Sequence, residues 1–397
     1  MNFNAQPVIA ALGIAVLASL LAEARWGTLR VPAVVWEMLL GILIGPHVLR
    51  LVQNSSQLEW LGGSLGLAAL FFMAGMELNL NAVKGHPLSL ALWGWLLSLG
   101  IGLVAAIFLH RLPSVHAPMS IALALATTAM GTFMPMLRDA GRLDSKFGAF
   151  VLAAGAVGEF APIIGVSLVL THENAPEKQA ALLVGFVVVA VGVALVALSL
   201  RPPRILNLLE RGLHSSTQLP ICISLLLLIS LDQVSRNIGF EAVLGAFTAG
   251  VIVGLASRGE RGKLFREKME AICFGFFIPF FFVVSGIDLD VGALFLDPRS
   301  LLLLPVFLAL FLLVRGTPVL LYRNHLAEDE SLPFVLYSAT TLPMLVVIAH
   351  LGVRTGQMPH GMAAALEGAG ILSVLLFPTT ATALMSRSAR KGLRASV

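Results

Sequence analysis

The sequence predicts an all-α polytopic membrane protein with about thirteen transmembrane helices. Of its 397 residues, 57% are hydrophobic and only 12% are charged, whereas about a quarter of the residues in soluble domains carry charge. Apolar runs of about 18 to 25 residues recur along the chain, the length that crosses ~30 Å of hydrocarbon. These runs are continuous rather than alternating at every second residue, which excludes a transmembrane β-barrel.

The predicted spans are separated by short connectors that are rich in Pro, Gly and charge. They cover residues 7–25, 31–50, 59–78, 87–109, 117–137, 147–171, 179–200, 217–235, 240–257, 268–287, 300–322, 331–353 and 361–385. No connector is long enough to divide soluble domains. The first span lacks the basic segment of a signal peptide, so we expect it to be retained.

The connectors differ in their content of Lys and Arg from one side of the membrane to the other. One side carries nineteen of these residues and the other six. Because cytoplasmic loops are enriched in basic residues, we expect the N-terminus outside and the C-terminus in the cytoplasm.

Several classes of function lack support in the sequence. Cys222 and Cys273 both lie in predicted spans without a CxxC spacing, so neither a disulfide scaffold nor a metal site is expected. No HExxH or strand-bounded GxGxxG motif occurs, and no nucleophile and base are found together at one depth of the membrane. We therefore expect no enzymatic activity, no cofactor and no nucleic-acid partner.

Two parts of the chain resemble each other at an offset of about 210 residues. FFMAGMELNL at 71–80 matches FVVSGIDLDV at 282–291, GILIG at 41–45 matches GVIVG at 250–254, and Ala-Thr-Thr at 126–128 matches the same triplet at 339–341. Spans 1 to 6 therefore repeat as spans 8 to 13, and a shift by seven spans inverts the second copy. Two inverted six-helix repeats are typical of secondary transporters, whose site lies near the midplane.

Glu159 is the leading candidate for an ion or proton site. It lies thirteen residues after Lys146 and thirteen before His172, so about 20 Å of helix separates it from either end. Pro162 has no amide hydrogen and leaves the carbonyl of Gly158 without its helical donor. A buried carboxylate beside a free carbonyl is typical of a cation or proton site, and the alternative is a purely structural role in holding helices together.

Arg315 is the only basic residue inside a predicted span. It lies about 12 Å from the cytoplasmic end, so its side chain could reach the interface only with strain. Pro318 frees the carbonyl of Val314. We expect Arg315 to balance charge in the site, donating to freed carbonyls or to Glu159, and a merely structural role remains the alternative.

The two Ala-Thr-Thr segments predict a pair of interrupted helices that cross in the membrane. Pro135 follows the first triplet, and Pro343 follows the second. Unpaired backbone groups and hydroxyls at such breaks are typical of transporter sites. Thr127, Thr128, Thr340 and Thr341 are therefore candidate ligands, although threonine hydroxyls in membrane helices often bond back to their own backbone.

The other acidic residues of the spans lie nearer to the span ends. Glu37, Glu241 and Glu367 are within one or two turns of an end, where they can reach water or sit favourably at a helix N-terminus, and we interpret them as structural. Glu77, Asp288 and Asp290 end their spans and are expected to hold the turns that follow.

These features together resemble the monovalent cation:proton antiporter family 2, which has the bacterial sodium/proton antiporter fold. The resemblance rests on FFMAGMELNL and FFVVSGIDLDV, on the Thr-Thr segments and on the carboxylate in span 6. Where members of that family carry a polar residue and an aspartate, this chain has Gly158 and Glu159. Arg315 matches the family's basic residue in span 11.

The resemblance implies a homodimer in a bacterial inner membrane. It implies a dimerisation scaffold at 1–80 and 217–290, a core ion-transport domain at 87–171 and 300–385, and a linker helix at 179–200. The core domain is expected to move like an elevator.

The function predicted from these residues is exchange of a monovalent cation, Na⁺ or K⁺, for protons. With Gly158 beside Glu159 the core offers one titratable carboxylate, so we expect electroneutral exchange. The alternatives are a sodium-coupled organic-anion symporter of the related fold and an ion channel or membrane sensor.

Overall fold

Long apolar helices account for most of the protein, whose structure here is a computed structural model. The structure describes residues 5–24, 31–53, 55–77, 85–110, 118–143, 145–169, 217–237, 242–257, 262–296 and 298–395. Within these ranges, nine helical stretches are long and apolar enough to cross a membrane, and three shorter apolar stretches accompany them. They overlie twelve of the predicted spans. The remaining one, the linker at 179–200, lies outside the described residues, so the number thirteen stays a prediction.

The helices are numbered in chain order. The first half contains α1 Gln6–Glu23, α2 Ala33–Ile44, α3 Ser56–Glu77, α4 His86–His110, α5 Pro118–Leu125, α6 Met130–Asp139 and α7 Lys146–Val169. The second half contains α8 Leu219–Asn237, α9 Ala242–Ala256, α10 Lys263–Asp288, α11 Val291–Leu296, α12 Pro298–Gly316, α13 Glu328–Ala339, α14 Pro343–Arg354 and α15 His360–Ala395. A 3₁₀ segment, Thr317–Tyr322, extends α12.

Local chemistry explains where α2 ends and what holds the first turn of α11. The α2 helix stops at Ile44, earlier than the predicted span, because Gly45 is followed by Pro46 and a residue before proline avoids the helical conformation. Asp290 accepts a hydrogen bond from the amide of Ala293, at 2.8 Å, in the first turn of α11. The role expected for this residue, holding the turn after its span, is confirmed.

The chain divides into two compact units. Among the described helices, the first unit contains α1 up to Leu17, α2 from Glu37, and all of α3, α8, α9 and α10. The second unit contains the end of α1 from Ala18, the start of α2 up to Trp36, α4 to α7 and α11 to α15. Each unit therefore takes helices from both halves of the sequence, so neither half folds as a unit by itself.

The first unit contains two closely packed helix pairs that repeat the same contact. At Gly250 of α9, an added Cβ would lie under 3.0 Å from the carbonyl of Phe72 in α3, and at Gly75 of α3 from that of Phe247 in α9. The pair formed by α2 and α10 makes the equivalent contacts, with Gly41 against Val283 and Gly286 against Met38. The partner residues are related by the offsets of 209 and 211 that the sequence predicts. The repeat is thus visible as packing, since only glycine lets backbones approach this closely.

Candidate functional site

Two interrupted helices meet in the second unit. The first runs as α5 and α6 with a non-helical stretch between Leu125 and Met130, and the second as α13 and α14 with a stretch between Ala339 and Pro343. The amide of Ala129 donates to the carbonyl of Thr340 at 2.8 Å. The predicted breaks therefore occur at the two Thr-Thr positions and are in direct contact.

Glu159 lies in the middle of α7, which continues unbroken through Pro162. Its Oε2 accepts a hydrogen bond of 3.2 Å from the amide of Met130, the first residue of α6. The amide end of a helix carries partial positive charge, which stabilises a nearby carboxylate. The side chain is partly buried. The break in the first interrupted helix thus places a positive helix end against the one carboxylate predicted as the site.

Arg315 is buried, with 3% of its surface exposed. Its Nε donates to the hydroxyl of Thr128 at 2.9 Å and to the carbonyl of Ser338 at 3.3 Å. Its Nη1 donates to the hydroxyl of Ser98 at 3.2 Å, and its Nη2 to the carbonyl of Ala154 at 3.1 Å. The side chain therefore does not reach the interface, and its four acceptors are neutral carbonyls and hydroxyls rather than the carboxylate of Glu159.

The two carbonyls that prolines were expected to leave free are used by neighbouring helices. The carbonyl of Gly158 accepts the amide of Thr128 at 2.9 Å, and the carbonyl of Val314 accepts the hydroxyl of Ser98 at 2.9 Å. Pro162 and Pro318 therefore create acceptors that tie α7 to the α5–α6 break and α12 to α4.

Gly158 leaves the space that the guanidinium of Arg315 occupies. A Cβ at this position would lie 2.6 Å from Arg315 Nη2 and 2.6 Å from Thr128 Oγ1. Real Cβ atoms do not approach other atoms so closely. The absence of a polar side chain here is thus compensated by the arginine, which fills the same volume with a positive charge.

The four threonine hydroxyls differ in their partners. Those of Thr127 and Thr340 bond back to their own helices, to the carbonyls of Ala124 at 2.7 Å and Leu336 at 2.9 Å. Thr127 also shares a hydrogen bond with the hydroxyl of Thr341 across the crossing. The hydroxyl of Thr128 donates to the carbonyl of Ser338 at 2.6 Å. Thr127 and Thr341 are therefore brought together across the crossing, whereas the hydroxyls of Thr128 and Thr340 donate to backbone carbonyls.

Three serines in this region were not predicted from the sequence. Ser98 bridges Arg315 and the carbonyl of Val314. Ser373 of α15 accepts the amide of Thr341 at 3.0 Å and donates to its carbonyl at 2.8 Å. Ser338 supplies a carbonyl to Arg315. A single serine in an apolar span is a weak signal, since it usually bonds to its own helix, and only contact between distant segments reveals these roles.

No group of three or more His, Cys, Asp or Glu side chains that could hold a metal ion occurs among the residues that the structure describes. The polar groups of the site are hydroxyls, carbonyls, one carboxylate and one guanidinium. Such groups suit a monovalent cation or a proton better than a transition metal, which prefers imidazole and thiolate ligands.

A multi-pass helical membrane protein with crossed, interrupted helices around a buried carboxylate has the architecture of a secondary transporter. A family model described as "Sodium/hydrogen exchanger, transmembrane" matches residues 12–387. The chain belongs to the sodium/hydrogen exchanger family. The family relationship expected from the sequence is therefore confirmed.

Individual relatives agree with this placement. The chain is 24% identical over 371 residues to a Bacillus subtilis (strain 168) protein named "Putative Na(+)/H(+) antiporter YjbQ", a match that covers 88% of this chain and 58% of the relative. It is 24% identical over 261 residues to the Na⁺/H⁺-K⁺ antiporter GerN of Bacillus cereus, covering 65% of each protein. The chain thus spans less than two thirds of the length of each of these relatives.

A solved structure shares the fold. The sodium proton antiporter MjNhaP1 from Methanocaldococcus jannaschii, solved at pH 8, matches with a TM-score of 0.60 and 19% sequence identity. The match covers 96% of both chains. The all-α fold predicted from the sequence is confirmed by this likeness.

Proposed function

We propose that the protein is a secondary antiporter that exchanges Na⁺ or K⁺ for protons, with Glu159 as the group that binds them in turn. The observation that carries this proposal is the carboxylate of Glu159 facing the amide end of α6, 3.2 Å from Met130. A carboxylate held there can accept either a proton or a small cation, but not both at once. Competition for one group is sufficient for coupled exchange.

The neighbouring arginine supports an electroneutral exchange. Arg315 stays charged in both states, because a guanidinium does not lose its proton at accessible pH. With glycine at position 158, Glu159 is the only carboxylate of the α7 segment Lys146–Val169. Each cycle would then carry either one cation or one proton.

The organic-anion symporter is less well supported. Such a protein would use a basic side chain to bind the anion, yet all three guanidinium nitrogens of Arg315 already donate to protein acceptors. A channel or sensor would not require the inverted repeat. The antiporter therefore remains the function that the site favours.

The larger-scale features belong to the same proposal. The first unit would act as the scaffold of a homodimer, and the second would move across the membrane as an elevator carrying Glu159. We propose a bacterial inner membrane location with the C-terminus in the cytoplasm, as the distribution of Lys and Arg predicts.

The test is cation-driven dequenching of a pH-sensitive dye in proteoliposomes, comparing Na⁺, K⁺ and Li⁺. Wild-type protein should move protons when one of these cations is added. Glu159→Gln should fold and elute as the wild type does but should show no exchange, because an amide binds neither a proton nor a cation in the same way.

Glu59→Gln provides the matched control, since Glu59 is exposed at the start of α3 and its substitution changes the charge equally. It should retain exchange. Wild-type rates in Glu159→Gln would refute the assignment of Glu159, whereas no exchange by the wild type with any of the three cations would refute the antiporter itself.

A further inference from the structure

Glu37 is a buried carboxyl group of the first unit that the proposed exchange does not use. It belongs to the second turn of α2, and only 3% of its surface is exposed. The alternative that Glu37 and Glu367 reach water is wrong, since Glu367 is only 6% exposed as well, and Glu241 lies outside the described residues. Among the described residues, the Oε2 atom of Glu37 has no hydrogen-bond partner.

The part of α2 that surrounds Glu37 in sequence is apolar. Apart from Glu37, α2 carries no side chain with an oxygen atom. One turn further on, Gly41 packs against the backbone of Val283 and Gly286 in α10. At the next turn, Ile44 joins an apolar cluster with residues of α1 and α10 that include Ala11 and Val283.

Within this unit, α2 shares its apolar cluster with α1, α3 and α10. The charged groups of these helices inside the unit lie near helix ends: Glu59 and Glu77 of α3 and, in α10, Lys263, Arg266, Glu267, Lys268, Glu270 and Asp288. Gly41 contacts α10 at Val283 and Gly286, about 20 Å of helix beyond Glu270. Asp288 lies closer, since Gly286, two residues before it, packs against the carbonyl of Met38, the residue after Glu37. A neighbouring acid disfavours the ionised form of a carboxyl group further.

An ionised carboxylate in such a position would be costly. Burying an unpaired charge costs several kcal/mol or more, and the group avoids this cost by becoming neutral. A bound Na⁺ or K⁺ would not offset the cost of burying this charge, because a cation needs several oxygen ligands and Glu37 is the only side chain of α2 that carries oxygen atoms. A proton satisfies the carboxyl group without further ligands.

We propose that Glu37 is a proton-binding site of the first unit, separate from Glu159 and occupied by a proton, not by a cation, at neutral pH. This proposal does not depend on the antiport function. If antiport is correct, the proton on Glu37 stays outside the exchange cycle, because the exchanged ions bind Glu159 at the amide end of α6 in the other unit.

Infrared spectroscopy of the full-length protein in lipid at neutral pH tests the proposal directly. A protonated carboxyl group has a C=O stretching band that is distinct from the carboxylate bands and shifts in ²H₂O. This band should be present in the wild type and should lose one carboxyl equivalent in Glu37→Gln. Loss of a carboxylate band in its place would show that Glu37 is ionised and would overturn the proposal.

Two further variants make the outcome specific. The band should persist in Glu159→Gln and should lose the same equivalent in the Glu37→Gln/Glu159→Gln double variant, so that an indirect effect on Glu159 is excluded. If Glu37→Gln does not fold, Glu37→Met, which is also neutral and similar in length, replaces it. Persistence of the full band in every folded Glu37 variant would refute the assignment, whether or not the protein transports cations.

Discussion

At the scale of single residues, the guanidinium of Arg315 depends on the absence of a side chain at Gly158. The guanidinium lies where a side chain at position 158 would begin, and it holds Thr128, Ser98, Ala154 and Ser338 from four different segments. Hydrogen bonds from a charged donor are stronger than neutral ones. Arg315 therefore organises the surroundings of the site without contacting Glu159.

Replacing Gly158 with alanine tests this dependence. The new Cβ would overlap Arg315 Nη2 and Thr128 Oγ1, and overpacking of this kind typically costs about 1–3 kcal/mol. Gly158→Ala should melt at a lower temperature in detergent. Gly100→Ala in α4 is the control, because no atom lies within 4 Å of its added Cβ. It should be unchanged or slightly stabilised, and equal melting of both variants would contradict the steric account.

Arg315 itself should matter for stability. In Arg315→Ala, the acceptors at Thr128, Ser98, Ala154 and Ser338 lose a charged donor, and a hydrogen bond to a charged group contributes about 1.5–3 kcal/mol. We expect a clear drop in melting temperature by fluorescence-detected unfolding. Arg323→Ala, at an exposed position on the same segment, should change stability by no more than about 0.5 kcal/mol. An equal effect of the two substitutions would show that the buried hydrogen bonds contribute nothing.

At the scale of helices, two structural features occur in both halves of the chain. One is the broken helix, in which α5–α6 and α13–α14 expose backbone groups to each other and to Glu159. The other is the close glycine contact, which joins α3 to α9 and α2 to α10. The first feature needs unpaired backbone groups, and the second needs backbones that approach without side chains between them.

The glycine contacts predict that, within the first unit, the loss of stability on replacing glycine with alanine depends strongly on the position of the glycine. In Gly250→Ala and Gly286→Ala, the added methyl group would overlap backbone carbonyls, at Phe72 and Met38 respectively. A backbone atom cannot rotate away, so each substitution should cost about 1–3 kcal/mol and should reduce the yield of folded protein. Gly13→Ala in α1, with open space around its Cβ, should be tolerated. Tolerance of all three in a thermal-stability assay would contradict the packing.

At the scale of the whole molecule, two acids differ in the unit that holds them. Glu159, partly buried, lies in the second unit beside the amide end of α6. Glu37, which is 3% exposed, lies in the first unit on an apolar helix. The stoichiometry of transport depends on which of them takes part in the cycle.

We expect one-for-one exchange, because only Glu159 is placed to bind both ions in turn. A membrane potential should then neither drive nor oppose transport. The measurement clamps the potential of proteoliposomes with potassium and valinomycin while the sodium and proton gradients are balanced. Proton flux that follows the imposed potential would contradict this expectation.

The control for that measurement is Glu37→Gln. If Glu37 stays outside the cycle, the variant should be as insensitive to potential as the wild type. If wild-type exchange follows the potential and the Glu37→Gln exchange does not, Glu37 would be a second transported proton site and the one-for-one scheme would be wrong.

The sequence by itself determined the membrane class, twelve helical segments that the structure describes, the repeat and the family. The physical reason is that each of these features depends on the sequence alone, either on residues that are close together in the chain or on a motif that is repeated. Apolar length decides whether a helix crosses the membrane, a proline or glycine marks a break, and a repeated motif needs no coordinates. The candidates Glu159, Thr128 and Arg315 were found in the same way, as polar residues in apolar runs.

Only the tertiary structure decided what those residues touch. Arg315 was expected to donate to the carbonyls that prolines free or to Glu159, yet it donates to other neutral acceptors, and Gly158, 157 positions away in sequence, leaves room for it. One expectation for Glu37 was that it reaches water, yet the packing of α2 encloses it. Distance to a span end says how deep a residue lies, whereas burial and partners depend on helices from remote parts of the chain, and no local pattern specifies those.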